Sequence, residues 1–420
     1  MLRLMEKYQI GVLKGDPNPS FYSFSCAFYP TLKARVCQRL DERKLSRRGG
    51  SGSIHVKAVC LLVTFWSSLA GMCLFPGYFL PLLMAAVMGL SASFVGTCIQ
   101  HDGSHGAFSE SRNINKIAGW TLDMIGASAF TWEFQHMLGH HPYTNLLDVE
   151  GVGGSMDGTK DGVGDDIESD PDVFSSFPMM RMHPHHKVEW HHRYQHIYAP
   201  LLFSLMTLAK VLQQDIQTML DKRIYHIDAT CRYASPLNVL RFWVMKFVSF
   251  VYMIFLPCYF QGLSKGLLLF VAGHLTCGEA LATMFIVNHV IEGVAFATKN
   301  EEGETSLKPM TCNSVTPMEE TQKLSSIKTD MNDWAAVQCQ TSVNWSIGSR
   351  FWNHFSGGLC HQIEHHLFPS ICHTNYVHIQ DVVQETCKEF GVPYQHETSL
   401  FSAYCKMLSH LKTMGREKAS

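Results

Sequence analysis

Histidine is the residue that this chain both overuses and clusters. Most of its 23 histidines fall in a few tight groups. Three groups could do chemistry: His101-Asp-Gly-Ser-His105, His136-Met-Leu-Gly-His140-His141 and Gln362-Ile-Glu-His365-His366. On a helix, residues four apart share a face, so His101 with His105, and His136 with His140, can each turn two imidazoles toward one metal ion. Gln362, His365 and His366 stack in the same way. Neutral imidazole suits iron, copper, nickel and zinc, so the spacing implies a transition metal without naming it. A single such pair reads more readily as ordinary helix-surface histidine. Three groups delivered to one side of a membrane do not.

The elements that must position these groups are membrane helices. With 46% hydrophobic and 17% charged residues, the composition points to a membrane-spanning chain rather than several soluble domains. Spans are expected near 57–75, 78–99, 242–260 and 267–290, each close to the ~20 residues a bilayer crossing needs. Before the first run lie Arg35, Arg39, Arg43, Lys44, Arg47 and Arg48, which mark residues 1–56 as cytosolic. Arg241 and Lys246 suit the cytosolic end of the third span by snorkelling. Two further apolar stretches, 114–134 and 197–212, carry charge or are short. If either crossed alone, the histidine groups would face opposite compartments, so both are expected to lie on the cytosolic face as interfacial or cap helices. The fold expected is therefore an all-α integral membrane protein, with four transmembrane helices and a cytosolic helical cap holding the histidines.

Other features read more plainly. The formal charge of −2 gives no support to a nucleic-acid partner. The fourteen cysteines form no CxxC pair and read as reduced, buried thiols. Residues 148–172 and 299–332 are expected to be loops whose length can vary without touching chemistry. A further run, with His183, His185, His186, His191, His192 and His196, is interrupted by Pro184 and suits a membrane-surface segment rather than a second metal site. His274 and Glu279 lie inside the fourth span, where an ionisable group is costly. Glu279 is a candidate for the wall of a substrate path or for a helix-helix hydrogen bond. Asp157 to Glu168 fits a calcium-loop register by chance, since flanking helices are missing. The sequon at Asn344 is expected to face the cytosol and stay unmodified.

The motifs HDGSH, HMLGHH and QIEHH, with QHDGSHGAF, WEFQHMLGHHPYTN, ESDPDVFSSFPMMRMHPHH, QCQTSVNW and FWNHFSGGLCHQIEHHLFP around them, resemble the membrane-bound fatty acid desaturases over nearly the whole chain. Glutamine at the start of the third box is similar to the front-end subgroup, and the chain looks closest to its delta-4 and delta-5 enzymes. The resemblance implies a di-iron centre with ligands at His101, His105, His136, His140, His141, His365 and His366, and Gln362 in or near the shell. His289 looks like an additional ligand, with a polar helix-end cap as the bland alternative. It also implies dioxygen as oxidant, electrons from cytochrome b5 and its reductase, a polyunsaturated acyl-lipid or acyl-CoA substrate, and the endoplasmic reticulum with the site facing the cytosol. Front-end enzymes normally begin with a cytochrome b5 domain bearing an HPGG motif, which this chain does not contain. Residues 1–20 resemble the tail of such a domain, so the expectation is a shortened chain, or else a separate electron donor. The desaturase domain is then 57–390, followed by a cytosolic tail at 391–420. A delta-8 sphingolipid desaturase and a di-iron lipid hydroxylase share the scaffold and remain alternatives. A histidine-lined metal transporter is disfavoured because the boxes are expected outside the spans.

Overall fold

The computed structural model describes residues 22–148, 170–224, 227–228, 235–299, 305–309 and 329–416, with 25, 175, 184 and 185 excepted. The calcium-like stretch at 157–168, residues 1–20 and His185 lie outside the described residues.

Among the described residues, four helices are long and apolar enough to cross a membrane: Gly52–Leu74, Phe79–Ser104, Pro236–Gln261 and Leu263–Asn288. They form two hairpins, and the chain is an integral membrane protein. The second hairpin turns on Gly262 alone, at φ 82°, a conformation that side chains with a Cβ rarely adopt. At this far end Gln261 Nε2 donates to the carbonyls of Met72 (3.1 Å), Cys73 (2.6 Å) and Phe75 (3.0 Å), capping the first span. Spans two and four pack closest. A Cβ added to Gly89 would lie 2.0 Å from the carbonyl oxygen of Gly273, the small-residue contact by which membrane helices approach.

The helices overrun the expected spans at the site-bearing end. A 26-residue helix is about 39 Å long, against roughly 30 Å of hydrocarbon. The second span therefore continues to Ser104 and carries His101 on its own last turn, where the box was expected to follow the span. The fourth ends at Asn288, beside His289. Both ends point the same way, as the parity of the chain requires.

The stretch at 114–134 is broken into helices Arg112–Gly119, Thr121–Met124 and Ala129–Trp132. Gly126, at φ 96°, supplies one break, and Asp123 Oδ1 accepts from Ala129 N across it (3.0 Å). The other ambiguous stretch is part of one continuous helix from Gln195 to Asp221. It is not a free cap helix. It packs along the fourth span, where a Cβ on Gly278 would lie 2.3 Å from Ser204 O and Thr207 bonds to His274, while Ile197, Leu201 and Leu205 stay exposed. Its end meets the third span. There Lys246 does not snorkel but is buried, 3.0 Å from Asp215 and 2.7 Å from the Gly126 carbonyl, because a buried ammonium needs a partner.

Around the site-bearing end the chain builds a cap that includes, among the described residues, three short sheets. Leu146–Asp148 pairs in parallel with Ala295–Lys299, which pairs antiparallel with Thr305–Pro309, a strand within the stretch expected as loop. Arg223–Ile224 pairs with Ile227–Asp228, and Asn344–Trp345 with His396–Glu397. The N-terminal helix Phe28–Glu42 lies on Tyr376–Phe390 through Leu32, Val36 and Val383, with Arg39 paired to Asp381 at its edge. The segment expected as a tail also packs inward: helix Leu400–Met414 buries Met407 and Leu411 against Val287, Phe296 and Trp345. The histidine run at 183–196 belongs to this packing. His183 and His192 are fully buried, and Arg181 between them and the C-terminal helix donates to His186 O and Met414 O. The run is therefore partly interior, while Lys187, Trp190, Arg193 and Tyr194 stay exposed as a surface segment requires.

Candidate metal centre

Local backbone geometry turns each box inward. Residues Gly96–Gln100 form one π-helical turn before His101, and Glu133–His140 is π-helical throughout, with His141 N bonded to His136 O (3.0 Å). In a π-helix, bonded five residues apart, positions i+4 and i+5 both stack near position i. His136, His140 and His141 therefore share one face, with ring centroids 5.1 Å and 4.7 Å from His136. The third box lies on the short buried helix Gln362–Leu367.

Two groups result. His101, His105, His136 and His365 form the first, each with a ring nitrogen within 4.8 Å of the others. His141 joins them, its Nε2 lying 3.1 Å from His136 Nε2 and 3.1 Å from His365 Nε2. His140, His289 and His366 form the second group. Gln362 faces it, with Nε2 at 3.0 Å from His289 Nε2 and 3.1 Å from His366 Nε2. All nine side chains proposed from the sequence thus converge.

A ring of partners fixes which nitrogen faces inward. His136 Nδ1 donates to Asp172 (2.6 Å), His140 Nδ1 to Asp170 (2.9 Å) and His289 Nδ1 to the Thr341 carbonyl (3.0 Å). His366 Nδ1 donates to Gln338 Oε1 (2.8 Å), and His365 Nδ1 meets the Tyr376 hydroxyl (3.2 Å). With the outer N–H spent, each Nε2 carries a lone pair into the centre, the arrangement of metal-ligating imidazole. Burial, reinforced by neighbouring imidazoles, holds His105, His136, His141, His289, His365 and His366 well below the ordinary histidine range, so they are neutral donors. At His140 burial acts in the same direction, but the charge and hydrogen bond of Asp170, with Asp172 nearby, carry it above its usual value.

A metal pair fits these residues. Both ring nitrogens of His101, and Nε2 of His105 and His140, are buried with no hydrogen-bond partner among the described residues, a costly state unless a cation meets them. His141 Nε2 also lies 3.1 Å from both His136 Nε2 and His365 Nε2, and one N–H there could satisfy only one of the two contacts. An all-imidazole donor set suits iron among other transition metals.

Beside the first group opens a cavity of about 220 Å³. His101, Trp132 and His136 line its metal end, and Met88, Gly89, Gly273 and Cys277 of spans two and four line the other. His274 is on its wall. Thr207 Oγ1 gives its proton to the His274 carbonyl (2.9 Å) and so must accept from His274 Nδ1 (3.2 Å). Glu279 is not among the lining residues and accepts instead from Thr283 Oγ1 (3.3 Å) on the same helix, a bond within one helix rather than between two.

Asp170 and Asp172 were missed, and the stretch 148–172 does touch the chemistry at its end. The available signal was Asp170-Pro171-Asp172, an acidic cap before proline at a helix start: Asp170 Oδ1 accepts from Asp172 N (3.0 Å) and Val173 N (3.2 Å). Asp102, between two box residues, was also unassigned. It holds buried His373 through Nδ1 (2.7 Å) and accepts from Cys372 (3.2 Å). The sequon residue Asn344 is buried, donating to Glu364 (2.8 Å) and Tyr394 (2.7 Å), which closes it to modification.

Residues 76–398 match the family model described as fatty acid desaturase. The chain is similar to the "Acyl-lipid (8-3)-desaturase" of Physcomitrium patens, 35% identical over 84% of this chain and 63% of the moss protein. It therefore spans under two thirds of that relative's length. A protein of the same description from Mortierella alpina is 28% identical over 98% of this chain and 83% of its own length. The "Delta(5) fatty acid desaturase A" of Dictyostelium discoideum is 27% identical over 99% and 80%. With the three histidine boxes drawn into one buried centre at the ends of four membrane helices, this chain belongs to the fatty acid desaturase family.

Proposed function

We propose that the chain is a front-end desaturase, inserting a delta-4 or delta-5 double bond into long polyunsaturated acyl chains held as acyl-lipid or acyl-CoA. The observation that carries this is the cavity: it begins at His101 and His136 and runs between spans two and four along mainly apolar walls, as an acyl chain requires. The relatives' names support acyl-lipid desaturation, and that of the Dictyostelium protein supports the delta-5 position.

In this proposal His101, His105, His136, His141 and His365 hold one iron, and His140, His289 and His366 the other. Bound iron would supply the dioxygen chemistry that removes hydrogen from two adjacent methylenes, which no acid or base in the site could do. Asp170, Asp172, Gln338 and Thr341 keep the rings oriented. The cavity walls fix the chain, so its depth selects the carbon that reacts. Trp132 and Leu122 line the cavity beside the first group and exclude water from it. Electrons come from cytochrome b5 and its reductase, and the centre faces the cytosol at the endoplasmic reticulum. The basic residues at 35–48 support that sidedness.

The test is expression in yeast with and without added cytochrome b5, feeding C20 and C22 polyunsaturated acids separately and locating any new double bond by mass spectrometry. A bond at carbon 5 of the C20 acid or carbon 4 of the C22 acid is expected. A hydroxylated product, or a new bond only in sphingoid bases, would replace this proposal with one of its alternatives.

A further inference from the structure

The amide of Gln362 has a donor end and an acceptor end, and the end that faces His289 and His366 decides whether it can hold a cation. A chain of hydrogen bonds fixes the choice. Trp345 Nε1 can only donate, and it lies 2.9 Å from Asn288 Oδ1, so that atom must be the oxygen. Asn288 Nδ2 then faces the carbonyls of Met284 (3.1 Å) and Leu359 (3.0 Å), which only accept. The same Nδ2 lies 3.1 Å from Gln362 Oε1. Gln362 is therefore anchored by its oxygen and turns its NH2 group toward His289 Nε2 and His366 Nε2. Those nitrogens carry lone pairs, because their rings spend Nδ1–H on Thr341 O and Gln338 Oε1. Reversing the amide would set NH2 against NH2 at Asn288 and oxygen against two lone pairs. Trp345, Asn288 and Gln362 are all fully buried, so water cannot relieve either clash.

We infer that Gln362 is not a metal ligand but a hydrogen-bond donor, held in place by Trp345 through Asn288. It aims its NH2 group at the open side of the three-imidazole group, where it binds a small ligand bearing lone pairs, such as water or a compact anion. Gln362 takes this role only if the site is the two-metal centre proposed above. An amide nitrogen has no free lone pair to give a metal, so that metal is held by His140, His289 and His366 alone. Asn288 and Trp345 are positioning residues.

The test uses the full chain in lipid nanodiscs, iron-loaded, with sodium azide as probe. Iron per chain and the azide dissociation constant, from its visible absorption band, are measured for wild type, Gln362→Ala, Asn288→Asp and His366→Ala. Gln362→Ala should keep both irons and bind azide about tenfold more weakly, the loss of one hydrogen bond to an ionised ligand. Asn288→Asp replaces the donor that anchors Gln362 with an acceptor, reverses the amide, and should weaken azide binding with both irons retained. His366→Ala should lose one iron. If Gln362→Ala loses an iron as His366→Ala does, Gln362 is a ligand and the inference fails. It fails equally if azide binds Gln362→Ala as it binds wild type. A wild-type protein that takes up no iron would instead overturn the metal-centre reading itself.

Discussion

His140 Nδ1 lies 2.9 Å from Asp170 Oδ2, and both side chains are fully buried although thirty residues separate them. The carboxylate holds the proton on the outer nitrogen and keeps Nε2 free for metal. Asp170 also receives the backbone N–H groups of Asn145, Asp172 and Val173, so it joins the second box to the helix at Pro171. Replacing Asp170 with Asn should weaken metal binding by roughly 10- to 100-fold, the usual cost of losing such a partner. The rate of iron loss to a chelator, compared with wild type, measures it. Loss at the wild-type rate would mean that Asp170 only caps the helix.

Gly96 lines the cavity midway between its ends, and a Cβ there would meet only Leu281 and Ile125, at 3.9 and 4.0 Å. Gly96→Leu should therefore fold and load iron normally while filling the acyl path. Turnover of C20 and C22 chains should fall by an order of magnitude or more, since positioning supplies so much of the rate. Product analysis alongside iron content separates a blocked path from a lost centre.

Gly89 offers the opposite case. Its nearest neighbour is backbone, the carbonyl of Gly273 at 2.0 Å from an added Cβ, and backbone cannot rotate aside. Gly89→Ala must push spans two and four apart, at about 1 to 3 kcal/mol for overpacking. A clear fall in melting temperature in detergent is expected, with Gly96→Ala as the unaffected control.

Glu364 is buried beside the third box, and burial raises its carboxyl from 4.5 to about 7 despite hydrogen bonds from Tyr394 and Asn344. Because the folded state holds this proton more tightly than the unfolded chain, stability is lost as pH rises from 4.5 to 7. Below that window both states are protonated and no penalty exists. Glu364→Gln abolishes the titration. Its melting temperature, relative to wild type, should therefore improve between pH 5 and pH 8, even if a mismatched amide lowers it by a constant amount. A difference that stays flat across this range would show that Glu364 does not titrate there.

What the sequence revealed was whatever is local. The spans are continuous apolar runs, and each box puts its candidate ligands within five residues of one another on one helix, so both appear without tertiary knowledge. The orienting partners do not. Asp170 sits beyond a Gly- and Asp-rich stretch that reads as loop, and the Trp345, Asn288 and Gln362 relay joins three segments that no spacing connects. The helix at 195–221 was misjudged for a related reason. Its apolar residues cover both the face packed on span four and the outer face at Ile197 and Leu201, so the pattern did not reveal which side meets protein. The run at 183–196 reads as polar enough for a surface, yet His183, His186 and His192 are buried where the C-terminal helix folds back on them, a contact more than 200 residues away in the chain.

The π-helical turn at Gly96–Gln100 amounts to one residue more than a regular helix would use between the membrane-spanning part of span two and His101. Each residue advances an α-helix by about 100°. Removing any one residue from this turn would leave a good transmembrane helix and an intact HDGSH motif, yet rotate both imidazoles by roughly that angle, out of the centre and into the lipid or the cap. The centre is thus tuned by angular phase as well as by residue identity. Two chains with the same boxes but differing by one residue at this turn would differ in whether the first site can assemble.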